Sequence, residues 1–412
     1  MTRRLRLLLS VFACEPDRGS EPAVGWNQVR QAATFHEVWA ITRTIHKLAI
    51  EKASDTFPMR SVHWIYFELP KWLGFWQKGF RGLRLYYYLW QLGARGLARR
   101  LHERVHFDLA HHVTIVSYWR PSFLAFLPIP FVWGPVGGGE SAPRRFRASL
   151  SRRGRAFELL RDLRRWLGEH DPLVRRTAKT SKVALATSFE TLLRLNRLRC
   201  PSTAVMSQVS LPEEEITGLG SLPARCEERF RLMSSGSLLH LKGFHLGVMA
   251  FARLLERFPE SEYWIVGDGP ERRNLASLAA KLGVNQRVLF WGRVPRRDAL
   301  ERLADCDVLI HPSLHDSGGW VCAEAMAAGR PVICLDLGGP GVQVTEKTGI
   351  KIRAVTPEQT VADLAAAMTH LAADPKARIA MGERARVRVK RHFSAEGRAT
   401  LMNTVYARAV IQ

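Results

Sequence analysis

The sequence predicts an α/β protein made of two doubly wound parallel-sheet domains that face each other across a cleft. Three observations predict it. Short apolar runs repeatedly lead into a loop and then into a helical stretch, the order of an open parallel sheet. The 412 residues are too many for one ordinary core and suit two domains of roughly 150–200 residues each. The alternation also occurs twice, on either side of residues 201–228, a mixture of Pro, Gly, Ser and acidic residues that reads as an interdomain connection.

In order, the first domain (1–200) opens with the strand LRLLLSVFA and the Gly/Pro-rich loop CEPDRGSEPAVGW, followed by a helix and the strand EVWAIT. The runs FDLAHHVTIV, IPFVWGPVGGGE and VALATSFETLLRL continue the series, each leading into a loop or helix. Between them lie a segment of aromatics and arginines from Trp72 to Arg104 and a second arginine-rich stretch from Arg144 to Lys182. In TSFE, Thr187 and Glu190 have the spacing of a helix capping box.

The second domain (229–390) begins with FRLMSSGSL and a helix from about Gly243, then EYWIVGDGP and a helix from Glu271. RVLFWGRV, DVLIHPS and PVICLDLGG are its further strands. Residues 391–412 hold a final helix, opened by Ser394 and weakened by Gly397, expected to pack back toward the first domain.

Composition narrows the function. Hydrophobic residues make up 46% and charged residues 24%, which suits a globular chain rather than a disordered one. Sixty-one Lys and Arg stand against 38 Asp and Glu, a net charge of +23, so the partners are expected to be anionic: nucleic acid, anionic lipid or phosphorylated small molecules. The six cysteines (Cys14, Cys200, Cys226, Cys306, Cys322, Cys334) show no C-x-x-C spacing and read as reduced structural thiols of a cytoplasmic protein. The apolar run Leu7 to Ala13 reads as a first buried strand rather than a signal peptide. FLAFLPIPFVW is short and broken by Pro128 and Pro130, and no run is long enough to span a membrane.

The stretch HPSLHDSGGWVCAEAMAAG, residues 311–329, carries the chemistry. It follows a buried strand, and WVCAEAMAAG reads as a short helix stopped at Gly329. Gly318 and Gly319 then sit where free backbone N–H groups emerge at a helix N-terminus, a ready site for phosphate. Asp316 stands just before that opening and Glu324 about one turn into the helix. Local spacing alone leaves two readings open: both acids address a ligand, or Asp316 caps the helix and Glu324 is a solvated face.

This stretch resembles the donor-binding signature of the retaining glycosyltransferases of family four, proteins of two Rossmann-like domains in the GT-B arrangement. The family carries two acids with seven residues between, then A-M-A-x-G-x-P-V-I. Glu324 matches the second acid, followed by Ala325, Met326, Ala327, Gly329, Pro331, Val332 and Ile333, and Asp316 stands at the first with a shorter side chain. The resemblance implies that Glu324 accepts hydrogen bonds from ribose hydroxyls. It also implies that Asp316 and the backbone of Gly318, Gly319, Trp320 and Val321 hold the donor sugar and diphosphate.

Other segments fit the same resemblance. SGSLLHLKGF is similar to the family's G-R-L…K-G segment, which makes Gly236 and Ser237 donor contacts and Lys242 the cation on the leaving diphosphate. Ser237 replaces the family's arginine, so another cation must substitute or the diphosphate is held more weakly. FDLAHHVT resembles the family's D-x-x-H segment, where a histidine donates to the transferred sugar; His111 and His112 both remain candidates. GDGPE and WGRVP, with Gly267 and Val294, resemble the loops against the nucleobase, although Gly-Asp-Gly-Pro is also a good turn. Gly19 and Gly25, and Gly138 and Glu140, lie in two glycine-rich loops beside the acceptor and phosphate. Asp305 and Asp307 form a literal D-x-D, but at the start of a strand, so no metal site is assigned.

The resemblance therefore implies a metal-independent enzyme without cofactor, moving a sugar from a nucleotide-sugar co-substrate to an acceptor hydroxyl with retention. The basic, aromatic-rich first domain points to an anionic membrane surface on the cytoplasmic side and a lipid-linked acceptor for envelope or extracellular polysaccharide. A nucleotide-sugar 2-epimerase of the same fold is the alternative. A basic nucleic-acid-binding protein is a further one, though no RRM, KH or helix-turn-helix signature is present.

Overall fold

A computed structural model describes residues 3–16, 21–56, 58–74, 82–149, 152–221 and 229–411. The chain divides into two compact units, Met1–Gly139 with Leu163–Ser210 and Ala395–Gln412, and Glu140–Asp162 with Leu211–Ser394.

Among the described residues the first unit contains β1 (Arg6–Ser10), β2 (Glu37–Thr42), β3 (Val62–Tyr66), β4 (Leu109–His112), β5 (Phe131–Val136), β6 (Val183–Ala186) and β7 (Thr203–Val205). They form one parallel sheet in the order β3-β2-β1-β4-β5-β6-β7. Leu7, Leu8 and Leu9 of β1 are all fully buried, as a run of leucines must be where helices cover both faces of a parallel sheet. The strand order reverses between β1 and β4, which opens a crevice at their carboxyl ends. Helix Glu21–Ala33 follows β1 so closely that a Cβ on Gly25 would lie 2.1 Å from the Ala13 carbonyl oxygen; only glycine fits there.

Helix Leu83–Val105 packs its aromatics inward. Tyr86, Tyr87 and Trp90 are buried, and Phe12 meets the rings of Tyr87 and Trp90 edge-on at 4.9 and 5.0 Å. This corrects the expectation that these aromatics are free for a headgroup layer; of the described aromatics of that segment Trp72 is well exposed, and Phe75, Trp76 and Phe80 lie outside the described residues. The helix Phe189–Arg197 is capped one residue later than expected: Ser188, not Thr187, accepts the Thr191 N–H at 3.2 Å.

The second unit contains β8 (Arg231–Ser235), β9 (Glu262–Val266), β10 (Val288–Gly292), β11 (Val308–His311), β12 (Val332–Leu335) and β13 (Gly349–Ile352), all parallel, in the order β10-β9-β8-β11-β12-β13. Its reversal falls between β8 and β11. Helices Phe244–Leu255 and Pro357–Ala373 cover one core together with Tyr263, Ile310 and Ile333.

The units are not contiguous in sequence. Residues 140–162, assigned by sequence to the first domain, belong to the second unit because Ala142 and Phe146 bury themselves in its core. The connection expected at 201–228 holds β7 and helix Glu213–Ser221, and its residues 222–228 lie outside the described residues. Helix Ala395–Ile411 belongs to the first unit, where Tyr406 is fully buried.

Candidate active site

In the second unit, the loops after β8 and β11 meet at the reversal of strand order. The loop after β8 carries Gly236, exposed Ser237 and the single turn His240–Lys242. The loop after β11 leads to Gly319, whose φ of +62° is open to glycine, and then to helix Trp320–Ala327. Asp316 ties the two together. Its Oδ1 accepts the N–H groups of Gly318 and Gly319, each at 3.1 Å, and its Oδ2 accepts from Lys242 Nζ at 2.5 Å and His311 Nε2 at 3.2 Å. Burial pushes the Asp316 carboxyl upward, but the His311 hydrogen bond and the Lys242 charge outweigh it and hold the group well below the usual carboxylate range. Burial lowers the pKa of His311, partly opposed by its hydrogen bond to Asp316.

This arrangement corrects one expectation. The amides of Gly318 and Gly319 are bonded to Asp316 rather than waiting for a diphosphate. The amides of Trp320 and Val321, in the first helical turn, have no intrahelical partner and are the ones left to an anion. The loop is pinned from behind: Gly339 N–H donates to the Asp316 carbonyl at 2.8 Å and Gln343 Nε2 donates to the Gly318 carbonyl.

Glu324 is buried on the same helix, and its Oε1 accepts from Arg296 Nη1 at 2.8 Å. Arg296 Nη2 in turn donates to Glu215 at 2.7 Å. Burial raises the Glu324 pKa against the opposing pull of Arg296. No hydrogen bond reaches its Oε2 among the described residues, so one acceptor oxygen remains for a hydroxyl. Gly236, Gly267 and Gly292 lie side by side at the ends of β8, β9 and β10: Gly236 N–H donates to Val266 O at 2.9 Å and Gly267 N–H to Gly292 O at 2.8 Å. Val294 is half-buried in the loop before helix Arg296–Ala304.

Glu140 is the second correction. Sequence reading aims it at an acceptor; instead it is buried in the second unit and accepts from Ser317 Oγ at 2.9 Å. Glu158 accepts from His315 Nε2 at 3.0 Å with His240 Nε2 at 3.7 Å, so residues 140–162 brace both loops of the site. Asp307 lies at the amino end of β11, where Arg378 and the Arg231 N–H occupy its oxygens at 3.3 and 2.8 Å.

In the first unit, His111 and His112 end β4 at the equivalent reversal and point to opposite faces. Nε2–H of His111 donates to Gly134 O at 2.5 Å, and its Nδ1 accepts from Tyr406 OH at 2.8 Å, which itself accepts from Gln28. His111 is fully buried with both ring nitrogens engaged, which leaves His112 as the less committed of the two candidates. Burial lowers the His111 pKa to about 4. His112 meets Tyr87 OH at 3.4 Å through Nε2, and the backbone of Ile115 also interacts with its ring. Burial and the adjacent His111 bring its pKa down to about 3. Gly138 lies against the Trp119 ring, and Gly19 lies outside the described residues.

His311, Arg296, Glu215, His315 and Glu158 were not found from sequence. His311 had a usable signal, a polar residue at the carboxyl end of the apolar strand DVLIH. Arg296 had none, since Arg293 and Arg297 beside it read the same.

Comparison with known proteins agrees with the geometry. Residues 223–388 match the family described as glycosyl transferases group 1. The 2-deoxystreptamine glucosyltransferase of Streptomyces kanamyceticus is 34% identical over 140 residues, covering 34% of this chain and 35% of that one. The lipopolysaccharide core biosynthesis glycosyltransferase LpsE of Rhizobium meliloti is 41% identical over 109 residues, covering 26% and 30%. The chain thus spans about a third of the length of these curated relatives. Sucrose-phosphate synthase from Thermosynechococcus elongatus superposes with a TM-score of 0.63 at 19% identity, covering 98% of both chains. Anabaena HepE, solved with UDP and glucose, superposes with a TM-score of 0.60 at 16% identity, covering 98% of this chain and 99% of that one. At such identities the likeness is one of fold, the GT-B fold. Residues 223–388 thus match the group 1 glycosyltransferase family, within a chain of two parallel-sheet units with the GT-B fold.

Proposed function

We propose that this protein transfers a sugar from a nucleotide-sugar to an acceptor hydroxyl with retention of anomeric configuration and without a metal ion. The observation that carries the reading is the meeting of Lys242, Asp316 and a helix N-terminus at the β8/β11 reversal, with buried Glu324 one turn further along. Lys242, released from Asp316, and the amides of Trp320 and Val321 would take the charge growing on the departing diphosphate. Asp316 would then accept sugar hydroxyls, and the free oxygen of Glu324 a ribose hydroxyl. Of the two β4 histidines, His112 rather than His111 is the one left to address a sugar. The bond from the anomeric carbon to the phosphate oxygen breaks, the acceptor oxygen bonds to that carbon on the same face, and the departing phosphate oxygen takes the acceptor's proton. The chain's work is orientation and charge stabilisation.

The net charge of +23 supports attachment to an anionic membrane surface on its cytoplasmic side, with a lipid-linked glycan acceptor for envelope or extracellular polysaccharide. The lipopolysaccharide role in the name of LpsE favours the same acceptor class. Thermal unfolding with UDP-, GDP- and ADP-sugars tests the donor. A true donor at 100 times its Kd adds about 2.7 kcal/mol. The reading fails if none of them stabilises the protein, and release of epimerised sugar nucleotide without acceptor would replace it with the epimerase.

A further inference from the structure

We propose that helix Arg152–His170 is the element that seats the protein on an anionic bilayer, lying in the headgroup plane with its outward face inserted. The proposal rests on the membrane attachment just described and names the surface responsible. The polarity of this helix is inverted. At about 100° per residue, Leu159, Leu160, Leu163, Trp166 and Leu167 fall within one arc of roughly 120°. That arc faces outward: the five side chains are 65, 44, 52, 55 and 54% exposed. The opposite face is polar and buried or paired. Glu158 accepts from His315, Asp162 pairs with Arg147 at 2.7 Å, and buried Arg165 donates to Gly139 O at 3.3 Å.

A water-facing helix has the reverse arrangement, so an apolar stripe of five large residues calls for a cover. Charge selects the cover. Exposed Arg155 and Arg164 flank the stripe on its two edges. At its C-terminal end the Trp166 ring meets His170 at a tilt, with centroids 4.6 Å apart, and His170 lines a cavity of about 400 Å³ with Arg175, Lys179, Arg197 and Arg199. Glu169, also in its wall, is paired with Arg194 at 3.2 Å. A second copy would set these cations against their own kind, which is costly at an interface. An anionic bilayer matches every part: leucines into the acyl boundary, Trp166 at the interface, the flanking arginines on headgroups and the basic cavity on a lipid phosphate.

The test is flotation with phosphatidylcholine–phosphatidylglycerol vesicles and with phosphatidylcholine alone, comparing the wild type with Leu163→Glu/Leu167→Glu and with Arg197→Glu/Arg199→Glu. Wild type should float with anionic vesicles only, and each double variant should bind at least about tenfold more weakly. Both should keep the wild-type thermal shift with a nucleotide-sugar, which shows that they are folded. Hydrogen exchange of wild type should show new protection over residues 156–167 on vesicles. Wild-type flotation by both variants, or protection elsewhere, overturns the assignment while attachment stands. Failure of wild type to float removes attachment as well, leaving donor binding to decide glycosyl transfer. A lipid-free dimer dissolved by Leu163→Glu/Leu167→Glu would give the stripe to a second copy instead.

Discussion

Lys242 is the residue on which the proposed chemistry turns, and its contact with Asp316 is measurable before any substrate is known. The pair is 2.5 Å apart with side chains 20% and 15% exposed, so it is neither a screened surface pair nor a fully dry one. Exposed pairs contribute about 0.2–1 kcal/mol, and charge-assisted bonds with little exposure about 1.5–3. Lys242→Ala leaves Asp316 three donors, His311 and the two glycine amides, so the carboxylate stays compensated and the larger cost of an unpaired buried charge is not incurred. A cycle of Lys242→Ala, Asp316→Asn and the double variant should therefore give a coupling of about 1.5–3 kcal/mol in thermal unfolding at neutral pH. The same ammonium, turned to the diphosphate, should make Lys242→Ala about 10- to 150-fold slower in nucleoside diphosphate release, the kinetic equivalent of that energy. Additive single effects, or turnover within twofold of wild type, would refute the argument.

Arg296→Ala should raise donor KM by about two- to tenfold with little change in kcat, because it frees Glu324 from the cation that counters burial; a change in kcat alone would contradict this. Asp316→Glu should keep more turnover than Asp316→Ala, since it retains an anion beside Lys242, and equal losses would remove that role. Turnover should survive excess EDTA, and rescue of a chelated enzyme by magnesium or manganese would return attention to Asp305 and Asp307. Stability should fall with acid: His111, lowered to about 4 by burial, stays neutral while the unfolded chain protonates below about 6.5, so its contribution is whole above 6.5 and lost as pH drops toward 4. The full loss is about 3 kcal/mol for His111, and a flat melting profile between about pH 7 and 5 would contradict it.

The fold was legible because parallel strands buried on both faces read as unbroken apolar runs: RLLLS and VICL are visible without a structure. The placement of 140–162 was not. Its anchors Ala142 and Phe146 are two residues among arginines, and the helix that follows turns its polar side inward, so its pattern gives the opposite answer to its packing. The two histidines of β4 show a related limit. Period two says they face opposite ways, but with both faces covered by helices the sequence cannot say which one is spent on Tyr406.

At Asp316 the capping reading fails, because Gly319 begins the helix without a side-chain bond, and Glu324 is buried rather than a solvated face. The side chain is short enough to reach the amides two and three residues on, as an aspartate does in a turn, and so it fixes the loop that enters helix Trp320–Ala327 without capping the helix itself. Its second oxygen is then fixed in direction, and that direction meets Lys242 and His311 from two other segments. A glutamate, one methylene longer, has no such tie to its own loop. The departure from the family's usual acid therefore changes how the site is held: the turn positions the carboxylate, the carboxylate positions the lysine, and under the proposed function a donor diphosphate would draw Lys242 away from a partner 2.5 Å distant. Under that proposal donor affinity is traded against that contact, which predicts that Lys242 and Asp316 couple less strongly in the presence of nucleoside diphosphate than in its absence.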